Sequence, residues 1–409
     1  MSRVVITGMG AFTPVGKSVE TLFDSLRAGR HGMDLITRFD TADFKAKVAA
    51  EIRGYDPLDY LPKAEARKMD LFTQYAVIAA AEAMGDSGLE GKVDPERFGV
   101  YVGSGIGGME TFAAGAVTVE QQGPRKISPF IIPMMISNMA AGMISIRYGA
   151  AGPTLPVVTA CATSTHAIGE AFRAIKHGYA DAILAGGTEA AIHPLAMAGF
   201  QNAMALNNTD DPESASIPFD KRRNGFIMGE GAGVLVLEEY GHAVRRGANI
   251  YAEVVGYGNT ADAHHMTAPH PEGAGAIRAI RLALEEGGYE PGMAVYVNAH
   301  GTSTPLNDKA ETHALKAAFG EEAARKLRIS SSKSMTGHML GAAGAVEAIV
   351  SVMTLRTGVI TPTVGYQVPD EDCDLDVTPN VAVTAPCDFA ISNSFGFGGH
   401  NAVVALKKI

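Results

Sequence analysis

Short β-branched runs alternate with longer alanine-rich stretches along the whole chain. That pattern predicts strands buried on both faces and joined by helices. Residues 4–7 (VVIT) read as a buried strand. Residues 68–84 read as a helix, with apolar positions recurring at helical spacing through Ala79, Ala83 and Met84. Residues 97–102 and 156–159 read as strands, and 163–177 as a helix closed by Gly178. Strands follow at 182–185 and 231–237, then a helix near 241–246. After Ile250 the pattern begins again, with strands at 251–255 and 294–298 and helices at 273–287 and 344–357. This is an α/β pattern. It predicts two halves of similar architecture, 1–249 and 250–409, with no Pro-, Gly- or Ser-rich linker between them and therefore one body. Identity between the halves is too low for a repeat to be read from the letters.

Composition narrows the class. The chain has 409 residues, 46% hydrophobic and 19% charged, which suffices for a sizeable core. A net charge of −10 argues against a nucleic-acid binder, which carries a basic excess. Cys161, Cys373 and Cys387 are odd in number and show no CxxC spacing. They suggest neither a disulfide framework nor a thiolate zinc site, and a reducing, cytoplasmic setting is the expectation. The N-terminus MSRVVITGMG carries no long apolar signal core. Every long apolar stretch is broken by Gly or a charge, so no membrane span is expected.

The first chemical candidate is Cys161, in PTLPVVTACATSTHAIGEAF (153–172). A strand before it and a helix after it place the thiol at a strand-to-helix turn. Free N–H groups and partial positive charge at the helix start should lower its pKa, with Thr163 and Ser164 as early-turn residues. By local context alone it reads equally as a nucleophile and as a buried structural thiol.

Two histidines follow. His300 lies in YVNAHGTSTPLND (296–308), among small and hydroxylated residues. His338 lies in SSKSMTGHMLGAAGAVEA (331–348), after Lys333 and before Glu347. Singly, each reads more readily as a structural residue; with Cys161 they describe a Cys-His-His site. Such a site suits reversible thiol–thioester exchange followed by loss of CO2 from a malonyl thioester. Two imidazole N–H groups would stabilise the enolate oxygen. Lys333 would supply positive field, with Glu347 as counter-charge; an ordinary ion pair explains that spacing equally well. No metal or organic cofactor is required. In ISNSFGFGGHNAVVAL (391–406), Gly396, Gly398 and Gly399 permit unusual backbone angles and close approach to a ligand. The Phe395 N–H could join that of Cys161 in an oxyanion hole, and its ring could gate an acyl pocket; the plainer alternative is a Gly-rich turn.

Taken in order, VVITGMGAFTPVG (4–16), GPRKISPF (123–130), TACATSTH (159–166), PFDKRRNGFIMGEGAG (218–233), VNAHGTSTP, KSMTGHMLGAAGAVE and NSFGFGGHN resemble the type II β-ketoacyl-[acyl-carrier-protein] synthase family over essentially the whole chain. The resemblance implies a thiolase-like fold, two βαβαβ-type halves in a layered α-β-α-β-α core, and a homodimer. It implies decarboxylative Claisen condensation of an acyl group on Cys161 with malonyl-[acyl-carrier-protein] in fatty-acid elongation. His300 and His338 would be the decarboxylating and condensing pair, Lys333 the supporting lysine and Phe395 the gate. Thr302 and Thr304, with Thr267, would meet the pantetheine arm, and Ile106 would limit chain length. Asn298, Glu347, Ser392 and Asn393 resemble positions around a structural cation. Arg67, Lys68, Arg125 and Lys126 would face an acidic carrier, or be ordinary solvated charges. Two positions depart from the family pattern: His400, where Thr is frequent, and Met204, where a basic residue is frequent.

Other readings are weaker. The Gly-rich turns after residues 4–7 and 97–102 lack the acidic residue of a dinucleotide site. His264, His265 and His270 lack ligand spacing. Cys387 is not followed by the Cys-x-Gly pattern of a degradative thiolase. A type III initiating synthase would carry Asn where His338 stands. A non-condensing chain-length-factor-like subunit would lack Cys161.

Overall fold

In the computed structural model, which describes residues 2–409, nine strands form the central sheet. They are β1 (Val4–Phe12), β2 (Phe98–Ser104), β3 (Ala182–Glu189), β4 (Gly231–Glu239), β5 (Ala252–Ala261), β6 (Val295–Asn298), β7 (Arg328–Ser330), β8 (Phe389–Gly396) and β9 (His400–Lys407). Their order is β2-β3-β4-β1-β5-β9-β8-β6-β7. The mixed sheet is continuous through a short antiparallel contact, Val4 against Val254 and Ile6 against Ala252. On either side of that contact the order runs the same way. The β2/β3 pair is parallel and β3/β4/β1 antiparallel; β6/β8 is parallel and β8/β9/β5 antiparallel.

Helices fill three layers. α1 (Leu71–Ser87) covers the outer face beside β1, α3 (Ala274–Glu286) covers the face beside β5 and β9, and α4 (Pro305–Phe319) packs against α3. α2 (Thr163–Lys176) and α5 (Ala343–Thr357) pack together between the strands of both halves. This is the layered thiolase-like arrangement, and it explains why β1 reads as an unbroken apolar run: all its residues are buried, with helices on both faces. Glycines set the strand-to-helix distance. A Cβ on Gly8 or Gly10 would strike the carbonyl oxygens of Ala83 and Ala79 in α1. A Cβ on Gly256 or Gly258 would strike those of Ala283 and Ala279 in α3.

One expectation changes. Residues 156–159 form no strand: only Thr154 makes an isolated bridge, to Val100, and the chain then runs irregularly into the next turn. Apolar β-branched residues there occupy a free edge rather than a ladder. Residues 340–357 are long and apolar enough to cross a membrane, but 83% of that stretch is buried inside the fold. α5 is apolar all round because protein surrounds it.

Candidate active site

Cys161 lies in a one-turn 3₁₀ helix, Ala160–Ala162, that runs directly into α2. Ala160 is left-handed (φ 50°), an unusual conformation for alanine that turns the thiol off the chain direction. Neighbouring hydroxyls hold this elbow. Thr163 Oγ1 accepts the Thr159 N–H at 2.9 Å, and Ser164 Oγ accepts the Ala345 N–H of α5 at 2.9 Å. These residues therefore lock the turn and tie the two central helices together, rather than capping α2. His166 completes the lock, with Nδ1 2.8 Å from Thr159 Oγ1 and Nε2 3.1 Å from Asn259 Oδ1 on β5.

The thiol is 9% exposed and packs in an apolar cluster with Met197, Leu340 and the partly buried Ile106 and Phe200. Burial pushes it up to about 12, opposed by the Lys333 ammonium and by backbone N–H groups of Phe397 and Cys161 itself. The expectation of a lowered pKa is thus overturned: desolvation of the thiolate outweighs the helix start. The N–H beside the sulfur is also that of Phe397, not Phe395. Phe395 presents its ring instead, with its centroid 5.7 Å from that of His300.

Cys161, His300, His338, Phe395, Thr267, Thr302 and Thr304 all line one cleft of about 370 Å³. His300 is 2% and His338 2% exposed. Burial, with the positive field of Lys333, holds both well below the usual histidine range, so both are neutral. Nδ1 of His300 and both ring nitrogens of His338 have no protein partner. Buried polar atoms left open beside a cleft are where a ligand's polar groups belong. The edge of Phe226 packs on His338, centroids 5.1 Å apart. Lys333 lies beneath, buried and ion-paired with Glu347, whose carboxyl is pushed up by the same desolvation.

Two buried carboxylates that the sequence reading passed over shape the His300 loop. Glu311 accepts the N–H groups of His300 and Gly301, each at 2.8 Å, and Asn393 Nδ2 at 3.0 Å. Asp308 accepts the Thr302 N–H at 3.1 Å and the Phe219 N–H at 2.9 Å. Both sit on one face of α4, three residues apart, just after the histidine turn. That spacing was the available signal.

The remaining predicted residues fall in separate places. Ile106 is outside the cleft lining but in the apolar cluster around Cys161. Asn298 pairs with Ser392 across β6/β8. Asn298 Oδ1, Ser392 Oγ, Asn393 Oδ1 and Glu347 Oε2 are all buried without partners. Such hard oxygen atoms fit a cation with oxygen ligands. Arg67, Lys68, Arg125 and Lys126 are exposed, and Lys68 Nζ lies 5.6 Å from the Phe130 ring centroid, which brings the two basic pairs toward one another. Met204 is 90% exposed at the cleft mouth, and His400 faces His166, ring centroids 6.1 Å apart.

Residues 1–243 match the beta-ketoacyl synthase N-terminal domain and residues 251–367 its C-terminal domain. The chain is 51% identical over 407 residues to 3-oxoacyl-[acyl-carrier-protein] synthase 2 of Staphylococcus aureus, covering 99% of this chain and 98% of that one. It is 48% identical over 408 residues to the protein of the same name from Synechocystis, at 99% and 98% coverage. A beta-ketoacyl synthase structure from Burkholderia phymatum superposes with a TM-score of 0.92 at 36% identity, over 100% of both chains. A type II polyketide ketosynthase, solved in complex with its acyl-carrier protein and bound to the hexaketide, gives 0.93 at 33% identity, also over 100% of both. With the elbow cysteine, the two neutral histidines and the layered fold in place, the chain belongs to the beta-ketoacyl synthase family.

Proposed function

We propose that this chain is a 3-oxoacyl-[acyl-carrier-protein] synthase that condenses an acyl group held on Cys161 with malonyl-[acyl-carrier-protein] in fatty-acid elongation. One observation carries the reading: a single cleft joins the elbow thiol to two neutral histidines whose ring nitrogens are free of protein partners. In the first half-reaction the Cys161 sulfur attacks the acyl thioester, and its proton leaves with the carrier thiol. The tetrahedral oxyanion rests on the N–H groups of Cys161 and Phe397. In the second, the malonyl thioester loses CO2, and N–H groups of His300 and His338 stabilise the enolate oxygen. The enolate carbon attacks the Cys161 thioester; collapse releases the 3-oxoacyl carrier and the Cys161 thiolate, which is reprotonated. Neutral imidazoles suit this work, since each keeps one N–H and no charge to repel Lys333.

Thr302 and Thr304, hydroxyls 2.9 Å apart, and Thr267 across the cleft would meet the pantetheine arm. Ile106 would limit chain length, and Phe395 would gate entry. An acidic carrier would dock on Arg67, Lys68, Arg125 and Lys126, none of which has an ion-pair partner among the described residues. Asn298, Glu347, Ser392 and Asn393 would hold a structural cation. The working division is 1–249 for the nucleophile half and 250–409 for the histidine half, which the repeated strand order supports. A homodimer through the β2 edge is the reading favoured by Leu155 and Val158, exposed on the stretch that runs along that strand.

The test supplies a medium-chain acyl carrier protein and malonyl carrier protein and weighs the carrier-bound product. A 3-oxoacyl product two carbons longer, absent with Cys161→Ala, supports the reading. Well-folded protein with neither elongation nor an acyl adduct on Cys161 would sink it.

A further inference from the structure

The elbow that carries Cys161 occurs twice. Leu340–Ala342 is a second 3₁₀ turn running directly into α5, and Leu340, like Ala160, is left-handed (φ 44°). In both turns the third residue donates to the residue just before the turn, Ala162 to Thr159 and Ala342 to Met339. Gly341 thus stands where Cys161 stands. The strands that meet the two elbows also correspond. β8 ends at Gly396, where a Cβ would come within 3.2 Å of the Cys161 nitrogen, so glycine leaves that N–H open toward the cleft. β3 ends at Glu189, whose side chain enters the other elbow and accepts the Gly341 N–H at 3.0 Å.

Glu189 is fully buried and has no cationic partner among the described residues. Its other contacts are Ser104 Oγ at 2.8 Å, Gly105 N at 2.9 Å and Ile106 N at 3.2 Å. Every backbone partner is an N–H donor, a set that matches the four lone-pair sites of a carboxylate. A buried anion cradled by N–H groups at a helix entrance is the arrangement that an oxyanion hole offers a substrate.

We infer that Glu189 is a positioning residue whose carboxylate permanently fills the anion cradle of the second elbow, tying the Ile106 loop to the turn that follows His338. This rests on the condensing reading. The same carboxylate acts on the nucleophile, being among the groups that push the Cys161 thiol upward. Glu189 therefore couples three things the reaction needs: the wall of the acyl pocket, the placement of His338 and the field at the sulfur.

The experiment compares wild type, Glu189→Gln and Glu189→Ala. The first readout is the pH profile of Cys161 alkylation by iodoacetamide, followed by intact mass without any acyl donor. Loss of the charge is expected to speed alkylation at fixed pH by about threefold or more, half a pKa unit. The second is condensation: kcat falls with little change in KM, products spread over more chain lengths, and formate partly restores Glu189→Ala while benzoate does not. Variants that fold but keep the wild-type alkylation profile overturn the inference. So does a loss of activity in Glu189→Ala that formate leaves untouched. If both variants fold poorly, Ser104→Ala keeps the carboxylate but removes one donor. A lowered kcat at unchanged KM with broadened chain length supports the coupling, and wild-type values in all three overturn it. A wild-type protein that alkylates but never condenses would instead count against the condensing reading alone.

Discussion

The rings of His300 and His338 meet edge to face, 5.4 Å between centroids and 85° between planes, although they stand on separate turns of the chain. Burial excludes the charged form of each, so their folded pKa values lie well below 6.5. Above pH 6.5 both states are neutral and these sites contribute their full stability. As pH falls below 6.5 the unfolded chain takes up protons first, and that contribution is lost. The acid limb of the rate profile belonging to these rings is therefore expected below pH 6.5. An imidazole titration by NMR with either midpoint at or above 6.5 would contradict this.

On the proposed mechanism, removing one imidazole removes one enolate donor. His300→Ala and His338→Ala are each expected to lower condensation by about 10²- to 10³-fold. Acyl transfer to Cys161 from an acyl carrier should remain visible by mass, since the elbow N–H groups are untouched. Equal loss of acylation and condensation in both variants would argue against separate roles.

Cys161 is a buried thiol pushed up to about 12, so the resting protein holds it protonated at neutral pH. Alkylation by iodoacetamide should then climb about tenfold per pH unit from pH 7 to 9, following the thiolate fraction. A plateau beginning near pH 7 would show a preformed thiolate instead.

The Lys333–Glu347 pair is fully buried. Lys333→Met or Glu347→Gln alone leaves one buried group uncompensated and should cost about 3–5 kcal/mol in chemical denaturation. Replacing both with apolar residues should recover most of that stability while condensation stays low. Recovery of activity together with stability would show that the pair serves only the fold.

Gly344 is the place where the two central helices cross, and a Cβ there would strike Thr165 Oγ1 of α2. Gly344→Ala should destabilise by about 1–3 kcal/mol through overpacking and should move the Cys161 elbow relative to His338. Wild-type melting and wild-type condensation together would show that the crossing is not tight.

Local patterns were readable from the letters. The stretch 163–177 is a helix in the fold with only its last residue trimmed, because its apolar spacing and its closing Gly178 are properties of neighbouring residues. Cys161, His300, His338 and Phe395 were legible as types in small-residue turns, and the fold does bring them to one cleft. The stretch 156–159 failed for the opposite reason: β-branched residues favour an extended chain, but a strand also needs a partner, and that edge has none beyond Thr154. Glu189 gave no sign of a site role, and for Asp308 and Glu311 the spacing showed only a shared helix face, because a carboxylate on a helix or strand end looks like surface charge. Only the N–H groups it meets, from distant segments, give it a purpose.

The sequence by itself determined the α/β class and the candidate reactive side chains, since periodicity and residue chemistry are carried locally. Tertiary structure alone decided which N–H faces the thiol, where Glu189 goes, and the directions in which the Cys161 thiol and the two imidazoles are shifted. Those depend on desolvation and on fields from residues far apart in the chain, and burial reversed the direction that the local helix argument assigned to Cys161.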